Sequence, residues 1–118
     1  MRVITYGTFD TFHYGHLNLL RRASEYGELT VALSTDEFNK IKGKTSFHSY
    51  EERKANLEMI KCVKQIIPEK NWGQKQNDTK IYDIMVMGDD WRDKFDEFKC
   101  VYLTRTPNVS STLIKNAI

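Results

Sequence analysis

The sequence of 118 residues predicts an α/β fold in one domain, residues 1–118, with a parallel five-stranded sheet covered by helices on both faces. Three observations carry that prediction. The length lies near the mode for single domains and leaves no room for a second. Short apolar runs alternate with helical patterns, the order that parallel strands and their crossover helices require. Polar, mostly glycine-marked segments follow those runs at Gly7-Thr8-Phe9-Asp10, Ser34-Thr35-Asp36, Gly88-Asp89-Asp90-Trp91 and Thr104-Arg105-Thr106. They would gather at the carboxyl edge of such a sheet, where ligands bind.

Each element has its own signal. Arg2 to Tyr6 is a β-prone run ended by Gly7. Leu17 to Tyr26 has helical spacing, with Leu17, Leu20 and Ser24 on one stripe and Gly27 as the expected C-cap. Leu29 to Leu33 reads as a buried strand, and Ser34 to Ser49 as a polar, irregular loop. Ser49 and Glu52 have the spacing of a capping box and open a helix to about Ile60. Cys62 to Ile67 is a third strand, stopped by Pro68. A loop with Trp72, Gly73 and Asn77 leads into a short helical or irregular stretch. Asp83 to Met87 is a fourth strand, residues 92–99 an amphipathic helix, Cys100 to Leu103 a fifth strand, and Ser110 onward a final helix.

Composition excludes several classes. With 40% hydrophobic and 29% charged residues, the chain is an ordinary globular protein. No apolar run approaches the ~20 residues of a membrane span, so no membrane insertion is expected. A net charge of +2 is too small to argue for nonspecific nucleic-acid binding, which needs a concentrated basic face, so no nucleic-acid partner is expected. The start MRVITYGTFD has no signal-peptide core, from which a cytoplasmic location is expected. Cys62 and Cys100 form no C-x-x-C pair and read as free thiols. His13 and His16 have ligand-like spacing, but no cysteine is nearby and there is no H-E-x-x-H, so they do not read as a zinc site.

The chemistry starts after the first strand, where His13-Tyr14-Gly15-His16 stands at the mouth of a helix. A helix N-terminus offers unpaired N–H groups and partial positive charge, which favour a phosphate. Two imidazoles three residues apart can donate hydrogen bonds to its oxygens, and Gly15 permits close backbone approach. That arrangement suits a nucleotide attacked at its α-phosphate, where negative charge grows in the transition state. At the other end, Arg105 offers a planar fork, and Ser110, Ser111 and Thr112 open a second helix. Together they suit the leaving β- and γ-phosphates.

These features resemble the HxGH-type nucleotidyltransferases, which have a Rossmann-like sheet, and among them the glycerol-3-phosphate cytidylyltransferases. The resemblance runs through V-I-T-Y-G-T-F-D, H-Y-G-H, A-L-S-T-D-E-F-N (32–39), H-S-Y-E-x-R-K (48–54), I-P-E-K-N-W (67–72), V-M-G-D-D-W (86–91) and R-T-x-x-V-S-S-T-x-I-K. It implies transfer of a cytidylyl group from CTP to sn-glycerol 3-phosphate with Mg2+, giving CDP-glycerol and pyrophosphate for teichoic-acid-like or capsular polymers, by a homodimer. It implies that Thr8 and Phe9 lie along CTP, that His13 and His16 contact its phosphates, and that Asp10 is an active-site carboxylate. Lys44 would help hold CTP, while Lys42 and Lys75 would hold the acceptor phosphate. Arg105, Thr106, Ser110 and Ser111 would bind the triphosphate, and Asp90, Trp72, Asp36 and Arg53 match positions in or near the site. The ordinary alternatives are solvated loop lysines for Lys42 and Lys44, a surface ion pair for Arg53 and a core anchor for Trp72.

Two segments depart from the family pattern. Lys61-Cys62-Val63-Lys64 stands where the family has Arg-Tyr-Val-Asp, which bears on the subunit interface. Pro107-Asn108 replaces Glu-Gly and stiffens the segment before the serines. The departures keep a longer alditol phosphate, such as ribitol or glucitol phosphate, open as acceptor. Adenylyl transfer and a nonenzymatic nucleotide-binding module are the further alternatives.

Overall fold

A computed structural model describes residues 1–104. The strands β1 (Arg2–Gly7), β2 (Glu28–Ser34), β3 (Val63–Glu69), β4 (Ile84–Gly88) and β5 (Cys100–Leu103) form one sheet in the order β3-β2-β1-β4-β5. Every neighbouring pair is parallel. The order reverses between β1 and β4, so the connections leaving their carboxyl ends diverge and open a crevice. Gly7 and Gly88, at the ends of those two strands, mark its rim.

Period-two alternation sorts the core into two layers. Val3, Leu29, Val31, Leu33, Ile84, Val86 and Leu103 pack on one face with Leu20 and Ala23 of α1 (Tyr14–Ser24). Leu57 of α3 (Tyr50–Glu58) joins them, following α2 (Asp36–Ile41) in the chain. Ile4, Tyr6, Ala32, Met85 and Met87 form the other layer, with Phe95, Phe98 and Tyr102 packed against it. Near that layer lies α4 (Gln74–Asp78), whose Asp78 accepts a hydrogen bond from the Tyr6 hydroxyl at 2.7 Å.

Several expectations are corrected. α1 starts at Tyr14 and ends at Ser24, because His13 is its N-cap and Glu25 its C-cap. Gly27 instead lets the chain pass β1: a Cβ there would meet the Met1 carbonyl oxygen at 2.1 Å. The loop expected over Ser34 to Ser49 contains α2, capped by Thr35, whose Oγ1 accepts from the Phe38 N–H at 3.0 Å. Six residues give too little periodicity to show it in sequence. Pro68 lies inside β3, because β3 is an edge strand and can lack one N–H. Residues 92–99 form turns rather than a helix, with Asp93 at φ 66°, incompatible with a continuing helix. Between Leu29 and Thr30 the β2–β3 register slips, leaving Lys64 without a counterpart in β2. The helix expected from Ser110 lies outside the described residues.

Candidate active site

The connection from β1 to α1 holds both histidines rigidly. The Gly15 N–H donates to His13 Nδ1 at 2.9 Å, and the His13 N–H donates to His16 Nδ1 at 3.3 Å. This is a capping box built from imidazoles. Since each Nδ1 accepts, the neutral rings carry their proton on Nε2, as donors. The rings stack with centroids 3.9 Å apart, and Phe9 and Phe12 each approach His16 to 5.4 Å. Burial, and secondarily the neighbouring His13, push His16 down to about 3, so it is neutral at physiological pH. Phe9 and Thr11 adopt φ values of 50° and 44°, left-handed conformations rare for such residues, on either side of Asp10. Strain of this kind, about 1–3 kcal/mol per residue, persists where surrounding contacts enforce it.

Those contacts come from Asp10 and Arg53. Asp10 is buried, and its carboxylate accepts from the backbone N–H groups of Phe47 at 2.6 Å and His48 at 3.0 Å. Arg53 is fully buried rather than part of a surface ion pair. It donates to the carbonyls of Thr8 (3.0 Å), Ser34 (2.8 Å) and His48 (3.1 Å), and to Asp36 Oδ1 (2.8 Å). Asp36 also accepts from the Tyr50 N–H at 3.0 Å; that bond, and then Arg53, hold its carboxyl below the usual range. Asp36 and Arg53 thus bind each other and tie together the ends of β1 and β2, α2, and the entry to α3. Thr8 Oγ1 donates to Asn39 Oδ1 at 3.1 Å, while the buried Asn39 Nδ2 has no hydrogen-bond partner among the described residues.

A second group of side chains lies on the opposite face of the sheet edge. Ser34 and Glu69 end β2 and β3 on the same side as Ala32 and Ile67. The Lys75 ammonium lies 2.7 Å from Glu69 Oε2 and stands over the Tyr6 ring at 4.4 Å. Lys42 Nζ donates to Ser34 Oγ at 2.9 Å and lies over the Phe38 ring at 4.7 Å. Burial pushes Lys42 down to about 8, with Glu69 opposing and Lys44, Lys75 and Arg53 reinforcing the shift. Lys44 is exposed, its ammonium 5.9 Å from the Trp91 ring. Trp72 is exposed and meets Phe38 edge-on at 5.1 Å, a wall beside the lysines rather than a core anchor. Asp90 is exposed at the end of β4, beside Asp89, which pairs with Arg92.

Arg105, Thr106, Ser110, Ser111 and Thr112 lie outside the described residues. Among the described residues, no three His, Cys, Asp or Glu side chains converge as metal ligands. The carboxylates of Asp10, Asp36 and Glu69 are each engaged by N–H, hydroxyl or ammonium donors of the chain, so they do not fit a metal cage.

A family model described as cytidylyltransferase-like matches residues 4–117, nearly the whole chain. The chain belongs to the cytidylyltransferase-like family. A glycerol-3-phosphate cytidylyltransferase of Staphylococcus aureus (strain NCTC 8325 / PS 47) is 55% identical, over 99% of this chain and 94% of its own length. The glycerol-3-phosphate cytidylyltransferase of Bacillus subtilis (strain 168) is 54% identical, over 99% and 96%. The crystal structure of the lipopolysaccharide core biosynthesis protein from Thermoplasma volcanium GSS1 superposes with a TM-score of 0.75 at 25% identity, covering 90% of this chain and 98% of that one. In this cytidylyltransferase, Ser34, Asn39 and Glu69 were not singled out from sequence. Ser34 and Asn39 are visible in the sequence only as part of A-L-S-T-D-E-F-N, and Glu69 only as part of I-P-E-K-N-W.

Proposed function

We propose that the chain transfers the cytidylyl group of CTP to sn-glycerol 3-phosphate, releasing CDP-glycerol and pyrophosphate. The observation that carries this reading is the pair of neutral, stacked histidines locked at the N-terminus of α1, directly after β1. An acceptor phosphate oxygen attacks the α-phosphorus, the bond to the β-phosphate breaks, and pyrophosphate leaves. The attacking oxygen is already anionic, so no residue has to deprotonate it. His13 and His16 act as donors to the oxygens gaining charge, aided by the helix N-terminus. Lys42 and Lys75 receive the acceptor phosphate and Lys44 helps hold CTP. Arg53, Asp36 and Asp10 position the loops that carry Thr8 and Phe9. Mg2+ is assigned to the triphosphate of CTP rather than to a protein cage, in keeping with its preference for phosphate oxygens and water.

The product is an activated polyol for teichoic-acid-like or capsular polymers, made in the cytoplasm. A homodimer is in keeping with a groove of about 980 Å³ beside edge strand β3, lined by Met1, Leu17, Met59, Ile60 and Cys62 together with the charged Arg21, Glu28, Lys61 and Lys64. Met1 and Met59 are more than half exposed there. Sedimentation of the intact chain tests the dimer. Pyrophosphate release from CTP, ATP, GTP and UTP against glycerol, ribitol and glucitol phosphates tests the reaction. CTP with sn-glycerol 3-phosphate is expected to turn over fastest; a faster ribitol or ATP reaction overturns the substrate assignment.

A further inference from the structure

The two acceptor lysines come from different elements, Lys42 just after α2 and Lys75 from α4, yet both connect to one carboxylate, Lys75 directly and Lys42 through Ser34. Glu69 is 2% exposed. Its Oε2 holds Lys75 at 2.7 Å, and its Oε1 accepts the Ser34 hydroxyl at 2.8 Å. Ser34 Oγ in turn accepts from Lys42 Nζ at 2.9 Å. A buried Lys–Glu pair is a weak source of stability, because desolvation offsets most of the attraction. Its geometric effect is larger: two flexible ammonium groups are held in fixed places on one side of the sheet edge. The groups facing Lys42 are Glu69 from β3, Lys44 from the following loop, Lys75 from α4 and Arg53 from α3. That surrounding carries excess positive charge, the complement of a phosphate monoester dianion.

We propose that Glu69, directly on Lys75 and through Ser34 on Lys42, is a positioning residue that sets these ammonium groups as a rigid receptor for the acceptor phosphate. The proposal rests on the cytidylyl-transfer reading above and adds to it the residues that shape acceptor affinity. Glu69 touches no reacting atom; it acts through the lysines. Its charge also favours the Lys42 ammonium, which lies near its titration point at about 8.

The test is steady-state kinetics of the intact chain with CTP and sn-glycerol 3-phosphate, following pyrophosphate. Glu69→Gln should raise the acceptor KM about tenfold to a hundredfold, the range for a lost hydrogen bond to a charged group, and leave the CTP KM within about twofold. Ser34→Ala cuts only the Lys42 arm and should raise the acceptor KM less. Glu69→Asp, which keeps the charge, should recover part of the loss. The wild-type acceptor KM should climb above about pH 8 as Lys42 loses its proton, and that climb should begin at lower pH in Glu69→Gln. Parallel rises in both KM values, or an unchanged acceptor KM in Ser34→Ala and in Glu69→Gln, overturn the proposal. If Glu69→Gln does not fold, Ser34→Ala and Glu69→Asp decide it. A wild-type chain inert with every alditol phosphate overturns the underlying substrate reading instead, and is recognised without any variant.

Discussion

A neutral imidazole has one nitrogen that accepts and one that donates, and the start of α1 fixes which is which. The backbone N–H groups of Gly15 and His13 occupy the two Nδ1 atoms, so the donors are the Nε2 positions. Replacing His16 by Ala removes one preorganised donor, and kcat should fall about a hundredfold with little change in the CTP KM. A change confined to KM would show that His16 acts in ground-state binding only. The same residue makes stability depend on pH. The unfolded chain takes up a proton near 6.5 and native His16 only near 3, so between these values the unfolded state binds more protons. Stability therefore falls as pH drops from about 6.5 toward 3, and this group adds no slope above about 7. Urea midpoints across that window should fall less steeply in His16→Asn than in the wild type; equal slopes would contradict the burial argument.

At the scale of elements, the site depends on one arginine between four segments. Arg53 projects from α3 into the ends of β1 and β2 and pairs with Asp36 of α2, leaving no exposed surface. Replacing it by Met would leave the carbonyls of Thr8, Ser34 and His48 without this donor and cost about 1–3 kcal/mol. Chemical unfolding checks this, and a loss below about 1 kcal/mol would mean that water replaces the guanidinium easily. The turn from α1 to β2 makes a second demand. Gly27→Ala would drive a Cβ into the Met1 carbonyl at a position with φ 153°, and neither backbone can yield without disturbing the β1–β2 pairing. A loss of more than about 2 kcal/mol is expected, larger than for an ordinary surface substitution.

Across the whole molecule, the site has two halves on opposite faces of one sheet edge. His16 packs with Phe9 and Phe12 on the α1 side, and Lys75 with Tyr6 and Phe95 on the other. The crevice between β1 and β4 separates the faces, as the strand reversal requires. The histidine rings accept from the Gly15 and His13 N–H groups and Lys75 donates to Glu69, so their energetic effects should be independent. In kcat/KM for the acceptor, His16→Ala and Lys75→Met should add within about 0.5 kcal/mol. Marked non-additivity would show that the faces move together during turnover.

The five strands, the helix caps at Ser49 and the H-Y-G-H at a helix mouth were legible because each depends on neighbours in sequence: apolar runs, a three-residue box, a motif following a strand. The short α2 and the turns at 92–99 were not, since six residues carry too little periodicity and Asp93 at φ 66° has no local sequence signal. Sequence determined the family, the fold class and the motif residues that stand at the strand ends, because these rest on local pattern and ordered motifs. Tertiary structure alone decided that Arg53 is a buried tie rather than a surface ion pair, and that Glu69 faces both Ser34 and Lys75. Those facts depend on β3 lying beside β2 and on the period-two alternation that turns Ser34 and Glu69 to one side. A charge becomes a scaffold or a receptor according to what surrounds it, and the surroundings come from strands distant along the chain.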